Sequence, residues 1–221
     1  MELYLIRHAQ MQGDPHREYR PPVDGCLSDL GCAQATALGQ AMRHAPFDAV
    51  YSSPLGRAVQ TAQALAGDAG KITVAPWLIE WRPATVLGTC DEANYETMAA
   101  AAARLRPEES WKTDAGEGTL EMAHRVIVGF LGTLAELGIR PGHGGYLLDD
   151  PQDNRRIAMV AHGGSLGCLA AFLLGVPLKP FSPIAFSYTG TAVFQFVRRV
   201  DVWYPTLLLP PAACPEPTVA T

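Results

Sequence analysis

The chain has 221 residues, of which 48% are hydrophobic and 18% are charged. This apolar content is enough for a packed core and excludes a disordered chain, and the length suits one domain that carries an insertion. The 17 Lys and Arg residues against 22 Asp and Glu residues give a formal net charge of −5. We therefore expect neither nucleic acid nor an anionic membrane as a partner, and an anionic ligand would need a local cluster of cations.

The cysteines and the apolar runs predict the compartment. Five cysteines are scattered without a CxxC pair, which argues against a disulfide framework and against a structural zinc site. Arg7 interrupts the first apolar run, so we do not interpret it as a signal peptide. No run approaches the roughly 20 apolar residues that span a bilayer. We expect a cytoplasmic protein.

Apolar runs and helical spacing predict alternating strands and helices. In chain order, the predicted strands are residues 3–6, 47–51, 72–74, 157–161 and 191–197. The last is expected at an edge of the sheet, because Arg198 and Arg199 follow it. The predicted helices follow Ser28 or Asp29, run from Ser53-Pro54 to Ala66, and cover residues 119–137 and 165–174. The first should bury Leu30, Ala33, Ala37, Leu38, Ala41 and Met42. This alternation predicts a three-layer α/β fold with a mainly parallel central sheet flanked by helices.

Three segments interrupt this alternation of strands and helices. Residues 81–118 are interpreted as a cap-like insertion over one edge of the sheet. Residues 138–154 hold four glycines and two prolines and are predicted to be a surface excursion. The tail from Pro205 is rich in proline, so we do not expect it to be packed throughout.

Two histidines follow predicted buried strands. His8 comes after residues 3–6 and His162 after residues 157–161, and ligand sites in α/β sheets form beyond the carboxyl ends of the strands. Arg7 precedes His8, and Arg57 lies in the first turn of a helix that follows another strand. Gly163 opens a helix whose start presents backbone N–H groups to an anion. Together these groups predict a phosphate pocket.

This grouping suits phosphoryl transfer. A neutral imidazole can attack phosphorus and form a phosphohistidine, while the cations stabilise the charge of the transition state. The leaving alkoxide needs a proton from a carboxylic acid. Glu80 is the preferred candidate and Glu117 the alternative. The scheme requires no metal and no cofactor.

Five segments, in this order, carry a family resemblance. They are LIRHA at residues 5–9, LSDLGCAQA at 27–35, YSSPLGRAVQTA at 51–62, LIE at 78–80 and VAHGG at 160–164. The chain resembles the histidine phosphatase superfamily, in the branch that includes cofactor-dependent phosphoglycerate mutases and many small-molecule phosphatases. The resemblance implies that His8 is the phosphorylated nucleophile, that Arg7, Arg57 and His162 hold the phosphate, and that Glu80 donates the proton. The family includes dimers, so a homodimer is compatible with it.

The sequence departs from the family pattern in two places. Asp14 stands where many members have an asparagine that touches phosphate, so the phosphate contacts there should differ. The insertion lacks the paired arginines of the mutase subgroup, which favours transfer to water. We therefore predict a metal-independent phosphomonoester hydrolase acting on a small phosphorylated metabolite. A mutase-type phosphotransferase and a non-catalytic phosphate-binding protein are the alternatives.

Overall fold

The computed structural model describes residues 1–12, 27–66, 71–81, 104, 112–113, 116–178 and 184–208. The strands are β1 (Glu2–Arg7), β2 (Ala49–Ser52), β3 (Ile72–Val74), β4 (Lys112–Thr113), β5 (Gly116–Glu117), β6 (Ile139–Gly142), β7 (Gly145–Leu148), β8 (Arg156–Ala161), β9 (Thr191–Arg199) and β10 (Val202–Leu208). The helices are α1 (Asp29–Met42), α2 (Gly56–Ala66), α3 (Thr119–Glu136) and α4 (Gly163–Leu174), with a 3-10 turn at Pro76–Leu78. No helix among these described ranges is long and apolar enough to cross a membrane.

Eight of the strands form one sheet in the order β3-β2-β8-β1-β9-β10-β7-β6. The first four are parallel to one another, and each later pair is antiparallel. The predicted α/β class is therefore confirmed, and the sheet is mixed. Its parallel half is the half in which strands and helices alternate along the chain, as crossover connections require.

Helices cover both faces of the parallel half. Alternate residues of β1 point to opposite sides: Leu3 and Leu5 belong to a core with α3 and α4, whereas Tyr4 and Ile6 belong to a core that includes residues of α1 and α2. Burial on both faces explains the unbroken apolar runs of β1 and β8, because neither strand has a solvent side. The three layers predicted from the sequence are present.

Two predictions for the second half of the sheet were wrong. Strand β9 is not at an edge; it lies between β1 and β10, with Phe194 and Phe196 buried. The predicted surface excursion at residues 138–154 contains the β6–β7 hairpin, which ends the sheet. Ile139, Tyr146 and Leu148 of this hairpin join the main core, and this apolar content outweighs the glycines and prolines on which the prediction depended.

Two helix predictions also need correction. Helix α1 is capped by the Ser28 side chain, as predicted, but it buries Gly31 and Ala35, while Leu30 is 56% exposed. A Cβ on Gly31 would lie 1.9 Å from the carbonyl oxygen of Gln10, so small residues pack most closely near the start of the helix. Further along α1, Leu38 and Met42 are partly buried against the second core, as predicted. The second helix, α2, begins at Gly56 and not at Ser53-Pro54.

Parts of the predicted insertion and tail lie outside the described residues. Residues 82–103, 105–111 and 114–115 of the insertion are among these, as are Asp14 and residues 209–221. Within the described part of the insertion, β4 pairs with β5. Strand β10 continues through Pro205 to Leu208, so the sheet extends into the segment that was predicted to be tail.

Candidate active site

The two predicted histidines meet at the carboxyl edge of the parallel strands. His8 follows β1 and His162 follows β8, and the register of these strands pairs Arg7 with Ala161. The His8 and His162 ring centroids are therefore only 4.9 Å apart. Arg57, the second residue of α2, reaches the same point and is only 4% exposed. The structure thus brings together the residues that the sequence placed at this edge.

His8 is held in one orientation by contacts on both ring nitrogens. Nδ1 lies 2.7 Å from the carbonyl oxygen of Ala9, and Nε2 accepts a hydrogen bond of 3.1 Å from Nε of Arg57. The Thr61 hydroxyl fixes this loop, because it accepts from the Ala9 amide and donates to the Arg57 carbonyl. Since a carbonyl can only accept, Nδ1 carries the proton and Nε2 carries the lone pair.

The surroundings keep His8 neutral. Burial, reinforced by the positive charge of Arg57, lowers the pKa of His8 from 6.5 to about 3. A charged imidazolium would lose its hydration and face two guanidinium groups. At neutral pH the imidazole therefore presents an unprotonated Nε2, which is the form required of a nucleophile.

His162 is equally buried and also neutral. Its pKa is lowered well below the usual value, first by burial and then by the charge of Arg57. Its Nε2 lies 2.8 Å from the Ser53 hydroxyl, and that hydroxyl accepts from the Leu55 amide. The Ser53 proton can thus point at Nε2, which leaves the proton of His162 on Nδ1. Nδ1 is buried and has no hydrogen-bond partner among the described residues, so it is available to a ligand.

Arg7 is held by the segment that precedes β9. Its NH1 group donates to the carbonyl oxygen of Phe186 at 2.5 Å, and its Cζ lies 4.5 Å from the centre of the Tyr188 ring. The Tyr188 ring is also 5.8 Å from the His8 ring. The buried Nε of Arg7 has no hydrogen-bond partner within the described part of the chain. Arg7 thus presents a donor to the pocket from a fixed position.

Glu80 occupies the start of α4. Its Oε2 accepts from the Gly164 amide at 3.0 Å, and its Oε1 accepts from the Ser165 and Trp81 amides at 3.2 and 2.8 Å. A Cβ on Gly164 would lie 2.4 Å from Oε1, so glycine is required for this approach. Glu80 thus accepts from two of the backbone amides at the helix start, those of Gly164 and Ser165. The amide of Gly163, which the sequence predicted to bind phosphate, is not one of these two. Gly163 lies beside Arg7 in the wall of the cavity described below, and its role in phosphate binding stays a prediction.

The alternative acid, Glu117, has a different environment. Its two carboxylate oxygens accept from Nε and NH2 of Arg125 at 2.7 and 2.8 Å. NH1 of the same arginine donates to the carbonyl oxygens of Trp77 and Ile79 at 2.8 and 3.0 Å. Glu117 and Arg125 thus anchor the segment that ends at Glu80. Sequence reasoning did not find Arg125, because nothing in the local sequence marks a contact made across 46 residues.

Comparison with known proteins agrees with this geometry. Residues 3–200 match the model of the histidine phosphatase superfamily, branch 1. The chain belongs to this superfamily, as the resemblance of its five segments indicated. The match spans every site residue described above.

Some of the relatives are named as mutases and others as phosphatases. "Probable phosphoglycerate mutase GpmB" of Citrobacter koseri is 29% identical over 179 residues, which cover 80% of this chain and 76% of that protein. Among solved structures, the mycobacterial glucosyl-3-phosphoglycerate phosphatase has a TM-score of 0.71 at 23% identity, covering 93% of this chain and 96% of the other. The alpha-ribazole phosphatase of Shigella flexneri has a TM-score of 0.67 at 23% identity, with 94% and 96% covered. These structural likenesses establish the fold.

Proposed function

We propose that the protein is a metal-independent phosphomonoester hydrolase that acts through a phosphohistidine on His8. The observation that carries this proposal is the state of the His8 ring. Its Nε2 holds a lone pair, its pKa is about 3, and it sits beside two arginines and a second neutral histidine. The substrate is a small phosphate ester, and the chemistry uses no cofactor.

The first half-reaction forms the covalent intermediate. Arg57 leaves its bond to Nε2 of His8 and turns to the phosphate oxygens, which Arg7 and Nδ1 of His162 also bind. Nε2 then attacks phosphorus while the bond between phosphorus and the ester oxygen breaks. The leaving oxygen takes a proton from Glu80. Oε2 of Glu80 accepts only one of the three amide bonds described above, so this oxygen has a position for that proton.

The second half-reaction returns the enzyme to its starting state. Glu80, now a carboxylate, takes a proton from water, and the water oxygen attacks phosphorus. The bond between Nε2 of His8 and phosphorus breaks, and its electron pair returns to the neutral ring. Inorganic phosphate leaves, and Glu80 is again protonated for the next ester.

A phosphoglycerate mutase is the second candidate, since curated relatives carry that name. A mutase must hold a second anionic group of the same ligand. In the described part of the cavity beside Glu80, Arg7 is the one cationic residue, and it serves the first phosphate. Transfer to water is therefore the better supported outcome.

The experiment is hydrolysis of p-nitrophenyl phosphate in EDTA by the wild type, by His8→Ala and by His44→Ala. His44 is exposed in the turn that follows α1 and provides the matched control. We expect activity in the wild type and in His44→Ala, and none in His8→Ala. Activity retained by His8→Ala, or lost by the wild type in EDTA, would overturn the mechanism. Phosphate transfer to 3-phosphoglycerate in preference to water would identify a mutase.

A further inference from the structure

A cavity of about 320 Å³ lies next to the catalytic residues, between α3, the start of α4 and the segment before β9. Arg7 and Glu80 form part of its wall, so it adjoins the proposed phosphate site. The rest of the described wall consists mainly of apolar side chains. Six of them are Trp81, Met122, Ala123, Leu178, Ile184 and Phe186.

The position of this cavity assigns it to the alcohol part of the substrate. The phosphoryl group must lie within reach of Nε2 of His8 and of the Arg7 guanidinium. The ester oxygen must lie within reach of Glu80, because that residue gives it a proton. The alcohol beyond that oxygen then extends into the cavity, which has Arg7 and Glu80 in its wall.

The chemistry of the wall selects the alcohol. Among the described residues that line the cavity, the charged groups are Arg7 and Glu80, and catalysis already uses both. A carboxylate or second phosphate on the alcohol would therefore be desolvated against apolar carbon without a cation of its own. An aryl or branched alkyl group would instead replace the water in the cavity and gain apolar contacts.

We propose that the substrate is a phosphate monoester of a compact, uncharged, apolar alcohol. The proposal deepens the function proposed above and depends on it. Of the α3 residues that line the cavity, Ala123 has the smallest side chain, so a larger residue at this position would reduce the space for the alcohol. Against the described wall, a substrate with a second anion is disfavoured by the cost of desolvation and not by size.

The test compares benzyl phosphate, glycerol 1-phosphate and 3-phosphoglycerate, which are all esters of primary alcohols. Their leaving oxygens are chemically similar, so differences in kcat/KM report on the cavity. A single methylene in an apolar pocket changes kcat/KM by about 10- to 200-fold. We expect benzyl phosphate to exceed glycerol 1-phosphate by at least about tenfold and 3-phosphoglycerate by at least about 100-fold.

A matched pair of variants tests whether the cavity causes the preference for benzyl phosphate. Ala123→Leu fills the cavity, whereas Ala135→Leu makes the same change at an exposed position of α3. We expect Ala123→Leu to lower kcat/KM for benzyl phosphate by at least about tenfold, with methyl phosphate unaffected. Ala135→Leu should affect neither substrate. If Ala123→Leu does not fold, the wild-type preference among the three esters decides the question.

The outcomes separate this proposal from the proposed function. Equal or better hydrolysis of 3-phosphoglycerate, dependent on His8, would overturn the apolar substrate and leave the phosphatase in place. A chain without turnover on any ester would contradict the phosphatase itself. Calorimetry with His8→Ala then tests the cavity without catalysis, and tighter binding of 3-phosphoglycerate than of benzyl phosphate would refute the inference.

Discussion

Replacing Gly164 with alanine should remove Glu80 from the leaving group while helix α4 stays intact. The new Cβ would lie 2.4 Å from Oε1 and 3.3 Å from the carboxyl carbon of Glu80. Both distances are shorter than a van der Waals contact, so the carboxylate must move. It is the far end of a flexible side chain, and a rotation about its own bonds relieves the clash without a shift of the backbone.

The magnitudes follow from the contacts that are lost. In the protonated form that the mechanism uses, the Glu80 carboxyl group gives up its bonds from the Gly164 and Ser165 amides, and each such hydrogen bond contributes about 0.5–1.5 kcal/mol. Alanine is favoured over glycine in a helix by about 1 kcal/mol, which offsets part of this loss. We expect a net loss of about 1 kcal/mol in the free energy of unfolding, with Tm lower by about 2–4 °C.

Activity should fall in a pattern that stability alone cannot produce. Loss of a positioned general acid lowers the rate by about 10²- to 10⁴-fold when the leaving alkoxide needs a proton. Benzyl phosphate is such a substrate, whereas p-nitrophenolate leaves without a proton. The ratio of kcat/KM for benzyl phosphate to that for p-nitrophenyl phosphate should therefore fall by at least about 100-fold.

The control is Gly132→Ala, in helix α3, where an added Cβ meets nothing within 4 Å. This variant should gain about 0.5–1 kcal/mol of stability and keep the wild-type ratio of the two substrates. Thermal unfolding and steady-state kinetics on all three proteins complete the assay. An equal loss on both substrates in Gly164→Ala, or no loss on either, would refute Glu80 as the proton donor.

Two further predictions concern groups around the site. Since the pKa of His8 is about 3 in the folded chain and 6.5 in the unfolded chain, only the unfolded chain takes up this proton as the pH falls below 6.5. The free energy of unfolding should thus fall by up to about 1.4 kcal/mol per pH unit towards pH 3. In His8→Asn, urea unfolding should give a free energy that depends less steeply on pH. If the wild type and His8→Asn show parallel curves of unfolding free energy against pH, the neutral state of His8 is contradicted. Arg125→Met should cost about 1.5–3 kcal/mol, because it removes the hydrogen bonds that Arg125 donates to the Glu117 carboxylate and to the carbonyls of Trp77 and Ile79. It should also lower the benzyl to p-nitrophenyl ratio, because the segment that ends at Glu80 loses this anchor. An unchanged ratio would limit Arg125 to a structural role.

The centre of the site could be predicted from the sequence because it depends on local rules. His8 and His162 directly follow apolar runs, and parallel strands bring their carboxyl ends to one edge of the sheet. Arg57 lies in the first turn of α2, a position that faces the same edge. In each case the residue and the element that positions it are neighbours in the chain, so spacing alone places the side chain.

The supporting contacts could not be predicted because they join distant parts of the chain. The Phe186 carbonyl that holds Arg7 is 179 residues away from it, and the Ser53 hydroxyl that contacts His162 is 109 residues away. The sequence predicts a helix that starts at Ser53-Pro54, and serine before proline at such a position is usually a helix cap. The prediction that β9 is an edge strand failed for the same reason, because the arginines at the end of the strand do not indicate which strand pairs with β1.

The location of Glu80 at the start of α4 connects the fold to the proposed chemistry. One backbone turn, from His162 to Ser165, provides both the imidazole ring of the proposed phosphate site and the two amides that bind Glu80. The glycine at 164 permits the close approach, and the parallel pairing of β1 with β8 puts Arg7 beside it. Glu80 and the His162 ring are thus connected through three consecutive peptide bonds, so their separation does not depend on the side chains of the neighbouring cavity. Under the proposed mechanism, the side chains from α3, α4 and the segment before β9 that line this cavity can change without moving the proposed proton donor or the proposed phosphate site.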